Sequence, residues 1–262
     1  MVAADMTELT DRTIAALHAE HDSLVALLAD VSDDQLNSSS GADGWTLAQV
    51  LSHLGSGAEI GRPPIARAAG ESVDAVDNQT IWARWDAASP RDQATGFVRH
   101  NARWLETVDG LTPEQRSSLT VDLGFLPEPV PLVTALGMRL NEVANHAWDA
   151  RVALDPSADV NADSAAAIVE LFSGPLSFLV GFTSKPDELS EPVSLAAQGA
   201  GLVIEDTVKV VGDVASPSAT FHGSTPAFVR LLNGRLKEPY AKDVTVEGNT
   251  TLDDLRRVFP GY

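Results

Sequence analysis

Cysteine is absent from all 262 residues. That absence excludes disulfides, thiolate-ligated metals and a cysteine nucleophile together, and it leaves the compartment open. Positive charge is the second shortage: 18 Lys and Arg face 37 Asp and Glu, a formal charge of −19. A surface that grips phosphate backbones or anionic lipid needs clustered cations, so nucleic acid and membranes are not expected as partners. Long hydrophobic runs are missing too. The most apolar stretch, Ala165 to Phe182, is broken by Glu170 and by Gly174-Pro175, whereas a membrane span needs about 20 unbroken apolar residues. It reads instead as a buried helix pair or a kinked core helix. The opening MVAADMTELTDR has no basic region followed by an apolar stretch, so no secretory signal is expected. These shortages together give the expectation of a soluble, cytoplasmic protein.

What is present is ordinary for a folded chain, with 44% hydrophobic and 21% charged residues, enough for one large domain or two modest ones. Charge is unevenly spread. Residues 1–184 hold 10 Arg, no Lys and 26 acids, a net of −16, while residues 185–262 hold 4 Lys, 4 Arg and 11 acids, a net of −3. The break falls near Thr183-Ser184-Lys185-Pro186-Asp187, where helical patterning also stops, and it suggests domains of 1–184 and 185–262.

The first part is helical. Ile14, Leu17, His21, Leu24, Val25 and Leu28 share one face of a helix over about Thr7 to Val31. After a polar loop from Ser32 to Gly44, Thr46 can cap a second helix with the inward stripe Leu47, Val50, Leu51 and Leu54. A third helical region, about Asn78 to Val108, is interrupted near Ser89-Pro90 and carries Trp82, Trp85, Phe97, Trp104 and Leu105. A fourth long helix spans roughly Leu132 to Leu154. Four amphipathic helices imply a bundle, and a helix over Ala162 to Phe182 leads toward the second part. There the period changes. Strands are expected at residues 193–196, 202–204, 208–211, 219–222 and 244–248. Thr225-Pro226 opens a helix ending at Asn233-Gly234, and Thr251 with Asp254 forms a capping box for a last short helix. The fold class is therefore α+β.

Chemistry has few carriers. Glu142, His146 and Asp149 fall within roughly a 60° arc of the fourth helix at about 100° per residue. Metal-capable side chains on one helical face are how bundle metal sites are built, and His53 on the second helix is the natural partner across the bundle. His53, Glu142 and His146 form a three-ligand nitrogen and oxygen set that leaves a position open on a divalent metal. Asp149 would anchor an imidazole or act as a base beside the metal. An acid and a histidine four apart also recur in solvated pairs, so spacing alone leaves both readings open. The other candidates read as structural. His21 reads as a core histidine or one standing behind the ligands, His18 and His100 as solvated, and His222 ends a strand from which it could approach the cleft, though nothing in the sequence demands it. Trp82, Trp85 and Trp104 are core, while Trp45 and Trp148 brace the metal segments. Gly55-Ser56-Gly57 lacks the continuation of a phosphate loop.

Two segments carry a resemblance. Gly44-Trp45-Thr46 through Val50, His53 and Leu54 resembles the "GWT…V..HL" segment of the mycothiol-dependent maleylpyruvate isomerase family, whose first domain is a DinB-like four-helix metal-binding bundle. Glu142 through His146, Trp148 and Asp149 resembles its "E…H.WD" segment. The tail is similar more loosely, through Leu231-Leu232-Asn233-Gly234-Arg235 and Val244-Thr245-Val246-Glu247-Gly248. The resemblance implies a DinB-like bundle followed by a small C-terminal α/β domain. His53, Glu142 and His146 would hold a divalent metal, commonly zinc, with Asp149 and Arg235 at further functional positions and Arg230 near the second. It implies mycothiol as thiol co-substrate, activated as a metal-bound thiolate for cis–trans isomerisation or S-transfer to an electrophile. An arginine would orient a substrate carboxylate through two parallel hydrogen bonds. The alternatives are a bundle of this fold that binds a metal or small ligand without turnover, or a partner-binding module with a structural metal. The substrate pocket is expected to be lined by the loops Gly61–Asp77 and Asp122–Val130.

Overall fold

The computed structural model describes residues 3–74, 76–241 and 243–261, with side chains from residue 6 onward. The chain divides into two compact units, the first ending at Ala158 and the second beginning at Asp159.

The first unit is helical. Its helices are α1 (Ala3–Leu28), α2 (Asp33–Leu36), α3 (Leu47–Ala68), α4 (Asn78–Asp86), α5 (Pro90–Asp109), α6 (Pro113–Ser118) and α7 (Leu132–Val152). A two-residue antiparallel pair, β1 (Thr120–Val121) with β2 (Val130–Pro131), precedes α7. Four of these make the bundle: α3 packs mainly on α5 and α1 on α7, while α3–α7 and α1–α5 contacts close the ring. The starts of the elements are set locally. Thr46 accepts from the Gln49 amide while the Gln49 side chain returns to the Thr46 amide, satisfying two donors that a helix end leaves open. Ser89 caps α5 ahead of Pro90, which splits the third helical region where the sequence indicated.

α7 is the central element. Leu136, Leu140, Val143, Ala144, Ala147 and Trp148 are all fully buried, so its polar residues Asn141, Asn145, His146 and Asp149 are interior groups that need partners. Between α3 and α5 lies a slot made by two glycines. A Cβ on Gly55 would stand 2.2 Å from Trp85 Cη2 and one on Gly96 2.8 Å from the same atom, so only glycine lets the Trp85 ring of α4 seat there. Ile81 and Trp85, four apart, face inward. Trp82 is turned away and 43% exposed, so it is not the core residue its spacing suggested. The expected loop after Gly61 is also displaced. α3 continues through Pro63 and Pro64 to Ala68. Both prolines hold φ in the helical range, and packing on α5 outweighs the loss of two donors. Ala75, within that stretch, lies outside the described residues.

The second unit contains α8 (Ala162–Ser173), α9 (Ser177–Thr183), a 3-10 turn at Pro186–Glu188, β3 (Val193–Ala197), β4 (Ala200–Ile204), β5 (Val208–Val211), β6 (Ala219–His222), α10 (Thr225–Leu232), β7 (Thr245–Gly248) and α11 (Leu252–Val258). The five-stranded sheet runs β5-β4-β3-β6-β7, parallel only between β3 and β6. Alternate residues Val193 and Leu195, Leu202 and Ile204, Ala219 and Phe221 are buried, which fixes the register because a one-residue slip would turn each outward. Ser224, rather than Thr225, caps α10. The helix ends at Gly234 with φ +69°, a left-handed residue that favours glycine. α8 and α9 are bent by 87°, matching the expected helix pair, and they pack on β5 and α10. The packing therefore divides earlier than the composition break near Thr183–Asp187. That break registers charge, and the stretch from Leu171 to Ser184 carries none. Among the described residues no single helix is long and apolar enough to cross a membrane. The architecture is α+β, a helix bundle followed by a small sheet unit.

Candidate metal centre

Two helices supply the metal-capable groups. α3 carries His53, and α7 carries Glu142 and His146 one turn apart. One donor atom from each of the three residues lies within 4.8 Å of the others. His53 Nε2 is 3.1 Å from Glu142 Oε2, and His146 Nε2 is 3.7 Å from the same oxygen. The imidazole rings meet edge-on with centroids 4.7 Å apart. The side chains differ in access: His53 is 41% exposed, Glu142 34% and His146 10%.

His146 is set by the residue below it. Its Nδ1 lies 2.8 Å from Asp149 Oδ2, and Asp149 is completely buried. A carboxylate accepts, so Nδ1 carries the hydrogen and Nε2 is left on the side of Glu142 and His53. The chain before α3 supports this arrangement. The Ser40 amide donates to the Trp45 carbonyl, the Leu47 amide to Ser38, and the Gly41 amide to the carbonyl of Asp149 at 2.8 Å. A Cβ on Gly41 would stand 2.7 Å from Val152 Cγ2 and 2.9 Å from Asp149 Cα, so glycine is required for that approach. The same loop delivers Trp45, whose ring stacks on His146 at 14° and 5.7 Å and lies 5.2 Å from His53.

Behind Glu142 runs a polar line through the bundle. Arg139, one turn earlier on α7, donates to the Leu54 carbonyl at 2.8 Å and to Asn101 Oδ1 at 2.9 Å, with its guanidinium 5.9 Å from the centre of the Trp104 ring. Burial pulls the Arg139 pKa down to about 10, and the Glu142 charge opposes the shift. Because arginine only donates, Asn101 accepts from it through Oδ1 and gives its amide hydrogen to His21 Nδ1 at 3.0 Å. Burial lowers the His21 pKa, with Asp22 opposing. Glu20, also fully buried, pairs with Arg151 and ties α1 to α7.

A cavity of about 350 Å³ opens beside His53, lined by Trp45, Gln49, Ser52, Trp82 and Trp85 among others. The donor set fits a divalent ion. Two imidazoles and one carboxylate converge, one imidazole is held by an outer carboxylate, and the imidazole on the cavity side is accessible.

Of the residues singled out in the sequence, His53, Glu142, His146 and Asp149 come together as expected. Arg235 belongs to the second unit, where it donates to the Asn233 carbonyl at 3.2 Å. Its neighbour Arg230 is buried and occupied by Asp159 at 2.9 Å and the Tyr240 carbonyl at 2.8 Å. Trp148 is fully buried and donates to the Ala158 carbonyl, and Trp45 stacks on the histidines. His100 is not solvated. Its ring packs edge-on against Trp85 and lies 3.5 Å from Glu59. Sequence reading missed Arg139, although it stands three residues before Glu142 on the same face. It also missed Gly41, for which the polar run gave no signal.

The family model described as the mycothiol maleylpyruvate isomerase N-terminal domain matches residues 17–151. The chain belongs to that family. The matched range of the mycothiol maleylpyruvate isomerase N-terminal domain contains both segments that carry the donors. Among solved structures, the chain is similar to a mycothiol-dependent maleylpyruvate isomerase at 17% identity and TM-score 0.58, and to a histidine-to-alanine mutant of that isomerase at 17% and 0.59. Each alignment covers 95% of both chains. At that identity the likeness is one of fold, and it extends over both units of this family member. Among curated proteins none matches.

Proposed function

We propose that this chain is a divalent-metal enzyme, with zinc as the metal, that uses mycothiol as co-substrate. In this reading it works on a small electrophile in the cytoplasm by cis–trans isomerisation or S-transfer. The observation that carries the reading is the convergence of His53, Glu142 and His146 within 4.8 Å, with His146 fixed by a buried carboxylate, beside an accessible cavity. Membership of the family supports the thiol and the reaction class.

When bound, the metal supplies Lewis acidity, which lowers the pKa of a coordinated thiol toward neutrality. The residues do the rest. His53 and His146 would hold the ion as neutral imidazoles and Glu142 as carboxylate, so the three would contribute a single negative charge and leave the ion strongly electrophilic. Asp149 is a positioning residue, because it is fully buried and holds the hydrogen on His146 Nδ1. Arg139 places a positive charge on the bundle side of Glu142. The Trp45 ring excludes water from one face of His146 and so strengthens the electrostatics there. Arg235 is proposed as the group that orients a substrate carboxylate. Arg230 is unsuited, since its guanidinium is held by Asp159 and Tyr240.

Metal analysis of the purified protein is expected to give about one divalent ion per chain, as a single three-ligand site requires, and His146→Ala is expected to lose it. Full metal content in that variant refutes the ligand set. Titrating mycothiol into cobalt-substituted protein is expected to add a sulfur-to-cobalt absorption band. With no band the thiol role fails while the metal site stands. A purely structural metal would show as a large drop in melting temperature on chelation with no response to thiol.

A further inference from the structure

Arginines are few in the first unit, and most have partners. Arg139 and Arg151 are turned into the bundle, Arg84 pairs with Glu59, Arg91 with Asp33 and Arg116 with Asp11. Three others, Arg62, Arg67 and Arg103, line one cavity of about 360 Å³ formed by α3, α5 and the segment leading into α4. Arg62 stands 3.7 Å from Glu71. Arg67 and Arg103 have no carboxylate within ion-pair distance among the described residues.

Three arginines on the lining of one cavity concentrate positive charge there, which an anion would offset. The acids on the wall do not fill that role. Glu59 is engaged by Arg84 and by Trp85 Nε1 at 2.8 Å, with His100 at 3.5 Å, and Asp74 is exposed and makes no ion pair with the three arginines. The rest of the wall is largely apolar, including Ile60, Pro63, Pro64, Val73, Ile81 and Leu123. Pro63 and Pro64 have no N–H to offer a ligand or water. Cations over an apolar lining match an anion with an apolar body. A guanidinium takes a carboxylate by two parallel hydrogen bonds, and the volume lies within the span of small-molecule sites. Inorganic phosphate would satisfy the cations but leave the apolar wall wet.

The cavity is separate from the one beside His53. The two share no lining residue, and Trp85, bonded to Glu59 and packed on His100, forms the partition. We propose that this cavity is a second ligand site. It takes a small hydrophobic organic acid, with the carboxylate on Arg62, Arg67 and Arg103 and the apolar body against Pro64 and Ile81. The proposal does not depend on the metal and thiol reading.

Calorimetric titration of the full chain with benzoate, benzamide and inorganic phosphate tests it, repeated on His53→Ala to keep carboxylate coordination at the metal cluster out of the measurement. Benzoate is expected to bind one site at least about tenfold more tightly than benzamide or phosphate, a difference of about 1.4 kcal/mol, in both proteins. The double variant Arg62→Gln/Arg103→Gln is expected to weaken benzoate about tenfold with its thermal unfolding unchanged. Should the double variant unfold, the single changes Arg67→Gln and Arg103→Gln, both at exposed side chains, carry the test, and each is expected to weaken benzoate several-fold. Benzoate binding no tighter than benzamide or phosphate, binding lost in His53→Ala, or binding untouched in the folded arginine variants overturns the proposal.

Discussion

Asp149 touches nothing that reacts, yet the position of a proposed ligand depends on it. Its carboxylate is fully buried and holds His146 from behind. Asp149→Asn keeps the volume and removes the charge. Metal affinity measured against a competing chelator is expected to fall by roughly 10–100-fold while the chain stays folded. Unchanged affinity would show that the imidazole needs no anchor. At the far end of the polar line, His21 gives a pH signature. Its pKa is lowered chiefly by burial, so the native state binds fewer protons than the unfolded state just below the ordinary value of 6.5. Stability therefore rises with pH through that window, is fully present above it, and is lost as pH falls toward the folded pKa. Protonation at Nδ1 would also remove the acceptor for Asn101. The fall in melting temperature between about pH 7 and pH 5 is expected to be smaller in His21→Gln than in the parent. Equal falls would mean that His21 titrates alike in both states. His100, also lowered chiefly by burial, contributes with the same sign.

At the scale of elements, the glycine slot makes a sharp comparison. Gly55→Ala would place a methyl 2.2 Å from Trp85, whereas Gly61→Ala, on the same helix, places one 3.5 Å from Trp104. The first is expected to cost about 1–3 kcal/mol by displacing the ring, and the second to be neutral or stabilising by up to ~1 kcal/mol, as alanine is the better helix former. Urea unfolding of the two variants settles it, and equal stabilities would mean that Trp85 moves freely. The long helices were legible because each buries one face over many turns, which writes a 3.6-residue period into α1, α3, α5 and α7. α2 and α6 were not, being too short to repeat anything. Their sequence marks lie at the start of each helix: the capping pairs Ser32 with Gln35 and Thr112 with Gln115, first-turn acids, and Pro113. The site divides along the same line. Glu142, His146 and Asp149 were readable as one helical face. The link from Arg139 to Asn101 and on to His21 spans 38 and 80 residues of sequence, a proximity that only the assembled bundle creates. The helix through Pro63 and Pro64 was hidden for a similar reason, since local propensity opposes it and α5 supports it.

For the molecule as a whole, charge is the dominant surplus. With −19 overall, self-repulsion works against the compact state and is screened by salt. Raising the ionic strength from about 0.02 to about 0.3 M, which shortens the Debye length to well under 10 Å, is expected to raise the melting temperature. A fall would show that the ion pairs outweigh the surplus. Charge also explains why the composition break lay one helix pair away from the division of packing, since α9 and the end of α8 are uncharged and belong to a unit built on apolar contacts. The loop ahead of α3 has one further consequence. Gly41 donates its amide hydrogen to the Asp149 backbone carbonyl, so that proton is shielded only while the loop lies against α7. Its exchange with deuterium is a clock for how often the support behind His146 comes apart, readable at one amide without touching any ligand.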